Sequence, residues 1–304
     1  MSWRGKAELD WLSAQPGVER ERPLARHTSF NIGGPADFFA EAGDVEEAAR
    51  LVEGAARRAI PWLVLGAGTN LLIADAGIEG LVIRCTARGH CVEGSRIRAE
   101  AGLKMMRLAR IAAGAGLAGL EFAIGIPGTV GGAVYQDAGC WGKEVRDVLS
   151  GAEGLVPGVG RVGWTPPDLR LGYRTSALRE GPLAGALVVA ATFQLSPGDG
   201  ARSRAEMAGL TRQRVLTQPV TSLNCGSVFR NPPGDSAGRL VEAAGMKGAR
   251  DGAARVSETH ANFIVNEGGA TAAEVLSLIE RVRGAVLRRS GVELEPEVEM
   301  VGRW

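Results

Sequence analysis

Two glycine clusters are the first places in this sequence where bare backbone could meet a ligand. Gly66-Ala67-Gly68-Thr69-Asn70 follows the apolar run Trp62-Leu63-Val64-Leu65. Successive glycines let backbone N–H groups converge on one anion, and Thr69 and Asn70 add side-chain donors. The third glycine of a dinucleotide fingerprint is absent, and so is the Gly-Lys-Ser/Thr of a P-loop. A plain tight turn explains this segment equally well. The second cluster, Gly125-Ile126-Pro127-Gly128-Thr129-Val130-Gly131-Gly132-Ala133, carries little side-chain bulk around a rigid proline. Such a loop lets amides approach a pyrophosphate or a flat ring. Ile124, Ile126 and Val130 are too apolar for the alternative, a surface turn.

Three further segments hold reactive side chains. Leu171-Gly172-Tyr173-Arg174-Thr175-Ser176 presents a fixed positive charge. Asn224-Cys225-Gly226-Ser227-Val228-Phe229-Arg230-Asn231-Pro232 places a serine after glycine, but the Gly-x-Ser-x-Gly elbow and its partners are missing. Glu295-Pro296-Glu297-Val298 puts two carboxylates near the end of the chain, where solvated acids are common. Taken singly, none of the three is diagnostic. His27, His90 and His260 are too scattered for a metal motif, and Cys85, Cys91, Cys140 and Cys225 form no Cys-x-x-Cys pair. We expect reduced thiols and no metal site.

The elements that must position these residues alternate between helix and strand. Asp44 to Ala59 reads as a helix capped by Asp44, with Glu47 closing a capping box and Pro61 stopping it. Trp62–Leu65 and Leu81–Ile83 read as strands, the first of them buried. A strand over Arg96–Gly102 precedes a helix over Lys104–Ala113, ended by the Gly114–Gly116 cluster. Val156–Trp164 and Ala186–Leu195 read as strands, and Pro197-Gly198-Asp199-Gly200 as a turn. The last hundred residues read as helices over Ser203–Leu216, Ala237–Ala244 and Thr271–Ser290, with strands over Ala261–Val265 and Val292–Val301. Thr271 and Glu274 form the capping box of the last helix, and Gly291 is its stop.

Composition sets the outer limits. The 304 residues are 45% hydrophobic and 23% charged, which is a globular balance. Lys plus Arg is 35 and Asp plus Glu 34, so a net charge of +1 gives no general drive toward nucleic acid or anionic membrane. No apolar stretch is long enough to span a membrane, and the first 26 residues lack a signal-peptide core. A cytoplasmic protein is expected. Glycine, at 44 residues, is about twice its usual share, which fits turns and close backbone approaches.

In combination the motifs say more. The sequence resembles the UDP-N-acetylenolpyruvoylglucosamine reductase family over roughly His27 to Gly302. The resemblance rests on HTSFNIGGPAD at 27–37, VLGAGTNLL at 64–72, IGIPGTVGGAVYQDAG at 124–139, LGYRTS at 171–176, NCGSVFRNP at 224–232, AGMKG at 244–248, HANFIVN at 260–266 and LEPEVEMVG at 294–302. It implies an α+β protein with a vanillyl-alcohol-oxidase-type FAD-binding fold, in which two α/β subdomains hold the flavin and an α+β domain covers the substrate. The expected division is 1–86, 87–200 and 201–291, with the strand at 292–304 returning to the flavin side. Non-covalent FAD would rest on Leu65, Gly66, Ala67, Gly68, Thr69, Asn70 and Leu71, and on Gly125, Ile126, Pro127, Gly128, Thr129, Gly131, Gly132 and Ala133. Arg174, Ser227 and Glu297 match the catalytic residues, and Tyr173, Asn231, Lys247 and His260 fall on the substrate side. Asn31 stands where the family often has Arg, Asp137 and Cys140-Trp141 depart from its Asn-Ala-Gly-Ala-aromatic pattern, and Thr259 replaces a frequent Lys. The chain also lacks the insertion of one branch of the family, which places it with the shorter branch.

The resemblance implies a bacterial cell-wall enzyme that takes electrons from NADPH and reduces a UDP-sugar enolpyruvyl ether. Charge then builds up on the carbon beside the carboxylate. A guanidinium that cannot lose its proton suits that carboxylate. A neutral glutamic acid, kept protonated by desolvation, adds a hydrogen bond. Ser227 would supply the proton. A monomer with no nucleic-acid or membrane partner is expected. The alternative is an FAD-dependent sugar or alcohol oxidase of the same fold, which needs a base, and His260 is the one histidine placed to serve.

Overall fold

The computed structural model describes residues 3–304. The chain forms two compact units. The first holds the chain up to Arg20 with Phe38–Ala67 and Gly80–Arg212; the second holds Glu21–Asp37, Gly68–Glu79 and Gln213–Trp304.

One apolar cluster of the first unit forms around the helix Val45–Arg57, which buries Val45, Ala48, Leu51, Val52 and Ala55 with Phe38, Ala40, Leu81 and Ile83. The Asp44 carboxylate accepts from the Glu47 N–H at 2.7 Å. Glu47 reaches back to the N–H of Gly43, at 3.0 Å, one residue before the position that closes the expected box. The chain turns at Ala59 (φ +52°) into the strand Trp62–Leu65, which pairs in parallel with Ile78–Cys85. Only Leu65 of that strand is fully buried. The wholly buried strand expected from sequence is corrected, because this strand lies at the edge of a sheet of order 19–23, 35–42, 78–85, 62–65.

The other cluster of the first unit lies against an antiparallel sheet ordered 160–164, 149–156, 187–194, 96–100, 90–93. The helix Met105–Gly114 buries Leu108, Ala109, Ala112 and Ala113 in this cluster. The single strand expected over Val156–Trp164 is instead the end of one strand, Leu149–Val156, and the whole of the next, Gly160–Trp164. Gly158 (φ +80°) and Gly160 (φ +103°) supply the left-handed backbone that turns one into the other.

The second unit packs the helices Ala237–Ala243 and Ala272–Ser290 with a short sheet of Arg250–Asp251, Ala254–Val256 and Ile264–Asn266. The capping box of Thr271 and Glu274 is complete, and Gly291 ends the helix at φ +72°. Two expected strands shrink. Residues 261–263 stay out of the ladder, and the Asn262 side chain pairs with the backbone of Phe229 on both sides, at 2.9 and 2.8 Å. The closing strand is only Glu299–Val301, parallel to Leu71–Ile73. Pro296 before it carries no N–H for a continuous ladder and makes a lone bridge to Phe229.

Candidate active site

The first glycine cluster works in two places. In the first unit, a Cβ on Gly66 would sit 2.6 Å from Thr129 Oγ1, so the two glycine loops pass each other with no room for a side chain at Gly66. In the second unit, Gly68 (φ +59°) would drive a Cβ to 2.1 Å from the His27 carbonyl. The Gly68 carbonyl accepts from the N–H of Ser29 at 3.0 Å. Asn70 donates its side-chain amide to the Glu297 carbonyl at 3.0 Å, and Leu71 pairs with Glu299.

The second cluster is more ordered than an open loop. Glu121–Gly125 is a 3-10 turn, and the helix Val130–Tyr135 begins five residues later. The N–H groups of Val130 and Gly131 bond the Leu103 and Ala101 carbonyls, at 2.8 and 2.9 Å, and are spent on the protein. A Cβ on Gly125 would overlap the Trp141 ring at 2.3 Å, and one on Gly131 would press on Ala101 at 3.0 Å. At each of these positions the protein itself fills the space a side chain would take, which holds the two glycine segments close to their neighbours. Trp141, which covers Gly125, was noted from sequence only as a departure from a pattern.

Arg174 belongs to the first unit. It sits at φ +57°, rare for a residue with a Cβ and worth about 1–3 kcal/mol of strain. The pair of hydrogen bonds between Gly172 and Thr175, both 3.0 Å, closes the turn that carries it. Arg179 Nη1 holds its carbonyl at 3.1 Å. The Arg174 guanidinium donates to the carbonyls of Gly139, at 3.0 Å, and Asp137, at 3.4 Å, and lies 3.7 Å from the Glu144 carboxylate. Glu144 also pairs with Arg146. Arg146 in turn bonds the Asp137 carboxylate through its N–H and through Nη1, both at 2.9 Å. Burial pushes the Asp137 carboxyl up to about 6, against the pull of Arg146. Glu144 was missed from sequence, where nothing marked it. Tyr173 is exposed, with the Arg174 guanidinium 5.0 Å from its ring.

Ser227 and Glu297 belong to the second unit and are brought together there. The Glu297 N–H bonds the Val228 carbonyl at 2.7 Å, next to Ser227, and the Arg230 N–H bonds the Glu295 carbonyl at 2.9 Å. Gly226 (φ +83°) and the Asn224 side chain, which accepts from the Gly226 N–H at 2.9 Å, form the turn that presents Ser227. Ser29 donates to the Asn224 carbonyl at 2.6 Å. Glu297 is only 9% exposed. Burial lifts the neighbouring Cys225 thiol well above its ordinary range, and the Glu297 charge adds to that.

The remaining residues have plainer surroundings. Asn231 accepts from the Ala237 N–H at 3.0 Å and so caps a helix. Lys247 is exposed and pairs with Glu242 at 3.0 Å. His260 is half-buried, edge-on to Phe263, and its Nδ1 accepts from the Asn262 N–H at 3.2 Å. Burial, then the Lys247 charge, lowers its pKa. A histidine so engaged is a poor choice for the base of the oxidase alternative.

Two domain families match the chain. The FAD binding domain covers residues 36–163, and the UDP-N-acetylenolpyruvoylglucosamine reductase C-terminal domain covers 218–301. They define an FAD-dependent oxidoreductase of α+β fold. The UDP-N-acetylenolpyruvoylglucosamine reductase of Rubrobacter xylanophilus is 47% identical over 94% of this chain and 96% of its own, and that of Alkalilimnicola ehrlichii 46% identical over 95% and 96%. The crystal structure of UDP-N-acetylenolpyruvylglucosamine reductase from Thermus caldophilus superposes with a TM-score of 0.81 at 36% identity, covering 93% of this chain and 98% of that one. The chain belongs to the UDP-N-acetylenolpyruvoylglucosamine reductase family.

Proposed function

We propose that the protein reduces UDP-N-acetylglucosamine enolpyruvate to UDP-N-acetylmuramate in the synthesis of peptidoglycan precursors, with NADPH as the electron donor. When bound, FAD supplies the electron pair that the terminal methylene of the enol ether receives. Arg174 pairs with the substrate carboxylate and holds the enolpyruvyl group still. Glu297, in its neutral form, donates a hydrogen bond to the charge that develops beside that carboxylate. Ser227 delivers the proton that completes the lactyl ether. The observation that carries this reading is the backbone bond from the Glu297 N–H to the Val228 carbonyl, 2.7 Å, which joins the segment of a nearly buried acid to the segment that carries Ser227.

The FAD binding domain matched over residues 36–163 supports a non-covalent flavin, which we assign to Leu65–Leu71 and to Gly125–Ala133. Tyr173, Asn231, Lys247 and His260 are assigned to the UDP-sugar. We divide the chain into three domains, at 1–86, 87–200 and 201–291 with the closing segment at 292–304; the three apolar clusters agree with that number, though each draws residues from across these bounds. No helix among the described residues is long and apolar enough to cross a membrane. We assign the enzyme to the cytoplasm, as a monomer.

The test is anaerobic. NADPH should bleach the flavin absorbance of the purified protein, and the enolpyruvyl sugar should restore it with formation of the lactyl product. Colour that returns only with oxygen, or with a sugar alcohol in place of the enolpyruvyl ether, would overturn the proposal.

A further inference from the structure

The surroundings of Arg174 hold two carboxylates, Asp137 and Glu144, and two guanidiniums, Arg146 and Arg174. Their charges cancel. Each is fixed by more than one bond. The Asp137 carboxylate accepts from Arg146 twice, and its backbone carbonyl accepts from Arg174. Glu144 stands between the two guanidiniums and also accepts from the backbone N–H of Asp147. Asp147 is turned the other way, with its own carboxylate on the Glu144 N–H at 2.8 Å. The side chain of Asp137 has no solvent exposure, while those of Glu144 and Arg174 are about one-sixth exposed.

A substrate carboxylate that pairs with Arg174 breaks this balance. It adds a third negative charge to these two pairs, since Arg179 on the Arg174 carbonyl is matched by Glu180 at 3.6 Å, and the Asp137 side chain has no solvent of its own to screen it although Arg146 is 40% exposed. The least costly relief is a proton on the carboxylate that is already most deprived of solvent. We propose that Asp137 takes up a proton when a carboxylate-bearing ligand pairs with Arg174, so that ligand binding and the charge of Asp137 are linked. This rests on the reading of Arg174 given above. Asp137 is then a positioning residue. As a carboxylate it holds Arg146, and through Arg146 and Glu144 it steadies Arg174; once protonated, it lets the ligand take over as counter-ion. The position of Asp137 near neutrality, at about 6, supports this, since a modest push from one added negative charge moves it into the working range.

By linkage, the same coupling makes carboxylate ligands bind more tightly as the pH falls. The experiment uses the oxidised, FAD-loaded enzyme and two ligands: UDP-N-acetylmuramate, which carries the carboxylate, and UDP-N-acetylglucosamine, which lacks it. Calorimetric titration in buffers of different ionisation enthalpy reads the protons taken up. We expect roughly half a proton or more per UDP-N-acetylmuramate at a pH near 6.5, none for UDP-N-acetylglucosamine, and about tenfold tighter binding of the acid between about pH 8 and pH 5. Asp137→Asn should abolish the uptake and flatten the pH dependence, and Glu297→Gln should keep both. The wild-type protein tests the idea by itself through the two ligands, whatever the stability of the variants.

Equal uptake with both ligands, no uptake at all, or uptake that survives in Asp137→Asn and is lost in Glu297→Gln would overturn the inference. Arg174→Lys separates the two layers of the argument. Weakened binding of UDP-N-acetylmuramate in that variant, with uptake persisting in Asp137→Asn, sinks only the role of Asp137. Unweakened binding in Arg174→Lys sinks the reading of Arg174 and this inference with it.

Discussion

The surroundings of Arg174 and those of Ser227 solve opposite problems. Arg174 is held by a charge and by backbone: the Glu144 carboxylate, itself paired with Arg146, lies 3.7 Å away, and the carbonyls of Gly139 and Asp137 accept from its guanidinium. Ser227 is held by backbone, on a turn made by Gly226 and Asn224, beside a glutamate that is 9% exposed among Cys225, Val228 and Val298. The first arrangement keeps a group ionised and rigid, which suits binding of an anion. The second deprives an acid of solvent, which suits proton donation. The left-handed backbone at Arg174 and the burial at Glu297 are both costs to stability, which the proposed roles of the two residues would explain.

The sharpest way to break this contrast is to remove the proposed proton donor. Ser227→Ala should leave reduction of the flavin by NADPH intact and slow its reoxidation by the enolpyruvyl sugar by roughly 10²–10⁴-fold. Stopped-flow traces in which both half-reactions slow alike would make Ser227 structural.

The charged side can be probed through stability. The pKa of Asp137 rises from 3.8 in the unfolded chain to about 6 in the fold, so the folded protein binds the proton more tightly. Its contribution is largest below the unfolded value, falls as the pH rises from 3.8 to about 6, and is constant above that. Asp137→Asn lacks this term. The stability of wild type minus variant should therefore fall by on the order of 3 kcal/mol across that window, as followed by denaturant unfolding. A difference that stays flat with pH would mean that Asp137 is not titrating as described.

The cradle gives a third handle. A Cβ at position 125 meets the Trp141 ring at 2.3 Å, and the ring is held beside backbone. Gly125→Ala should lower flavin retention on gel filtration without loss of the folded far-ultraviolet spectrum, and Trp141→Ala in the same chain should restore part of it. Full flavin content in Gly125→Ala would remove this glycine from the cradle. The smallest effect lies far from the chemistry. Thr271→Ala breaks the capping box of the helix Ala272–Ser290 and should cost about 1 kcal/mol while activity stays unchanged.

Much of this was legible in the sequence, and unevenly so. Helices announce themselves through caps: Asp44, Thr271 and Gly291 stand where cap chemistry places them. The hairpin at 156–160 and the short closing strand were not legible, because the backbone of Gly158 and Gly160 in the one and of Pro296 in the other overrides an apolar pattern. Ser227 and Glu297, 70 positions apart, were joined by resemblance before the structure brought their segments side by side through the Val228 carbonyl. Glu144 gave no signal, since an exposed-looking acid in a Lys-Glu-Val-Arg stretch is indistinguishable from a solvated one until the hairpin at 139–144 turns it onto Arg174. Asp137 did leave a trace, as a carboxylate where an amide is usual, but its meaning needed the burial and the Arg146 partner to be seen.

The division of labour between the two regions is tested most directly by the pH profile of flavin reoxidation in wild type and in Glu297→Gln. The variant keeps a hydrogen-bond donor and loses only acidity. The account predicts that the wild-type rate falls as the pH rises through a value above the ordinary glutamate range of roughly 4.3, and that this dependence vanishes in Glu297→Gln although FAD stays bound. A variant that retained the wild-type profile would show that another group titrates in this step, and would contradict the assignment of Glu297 as the acid.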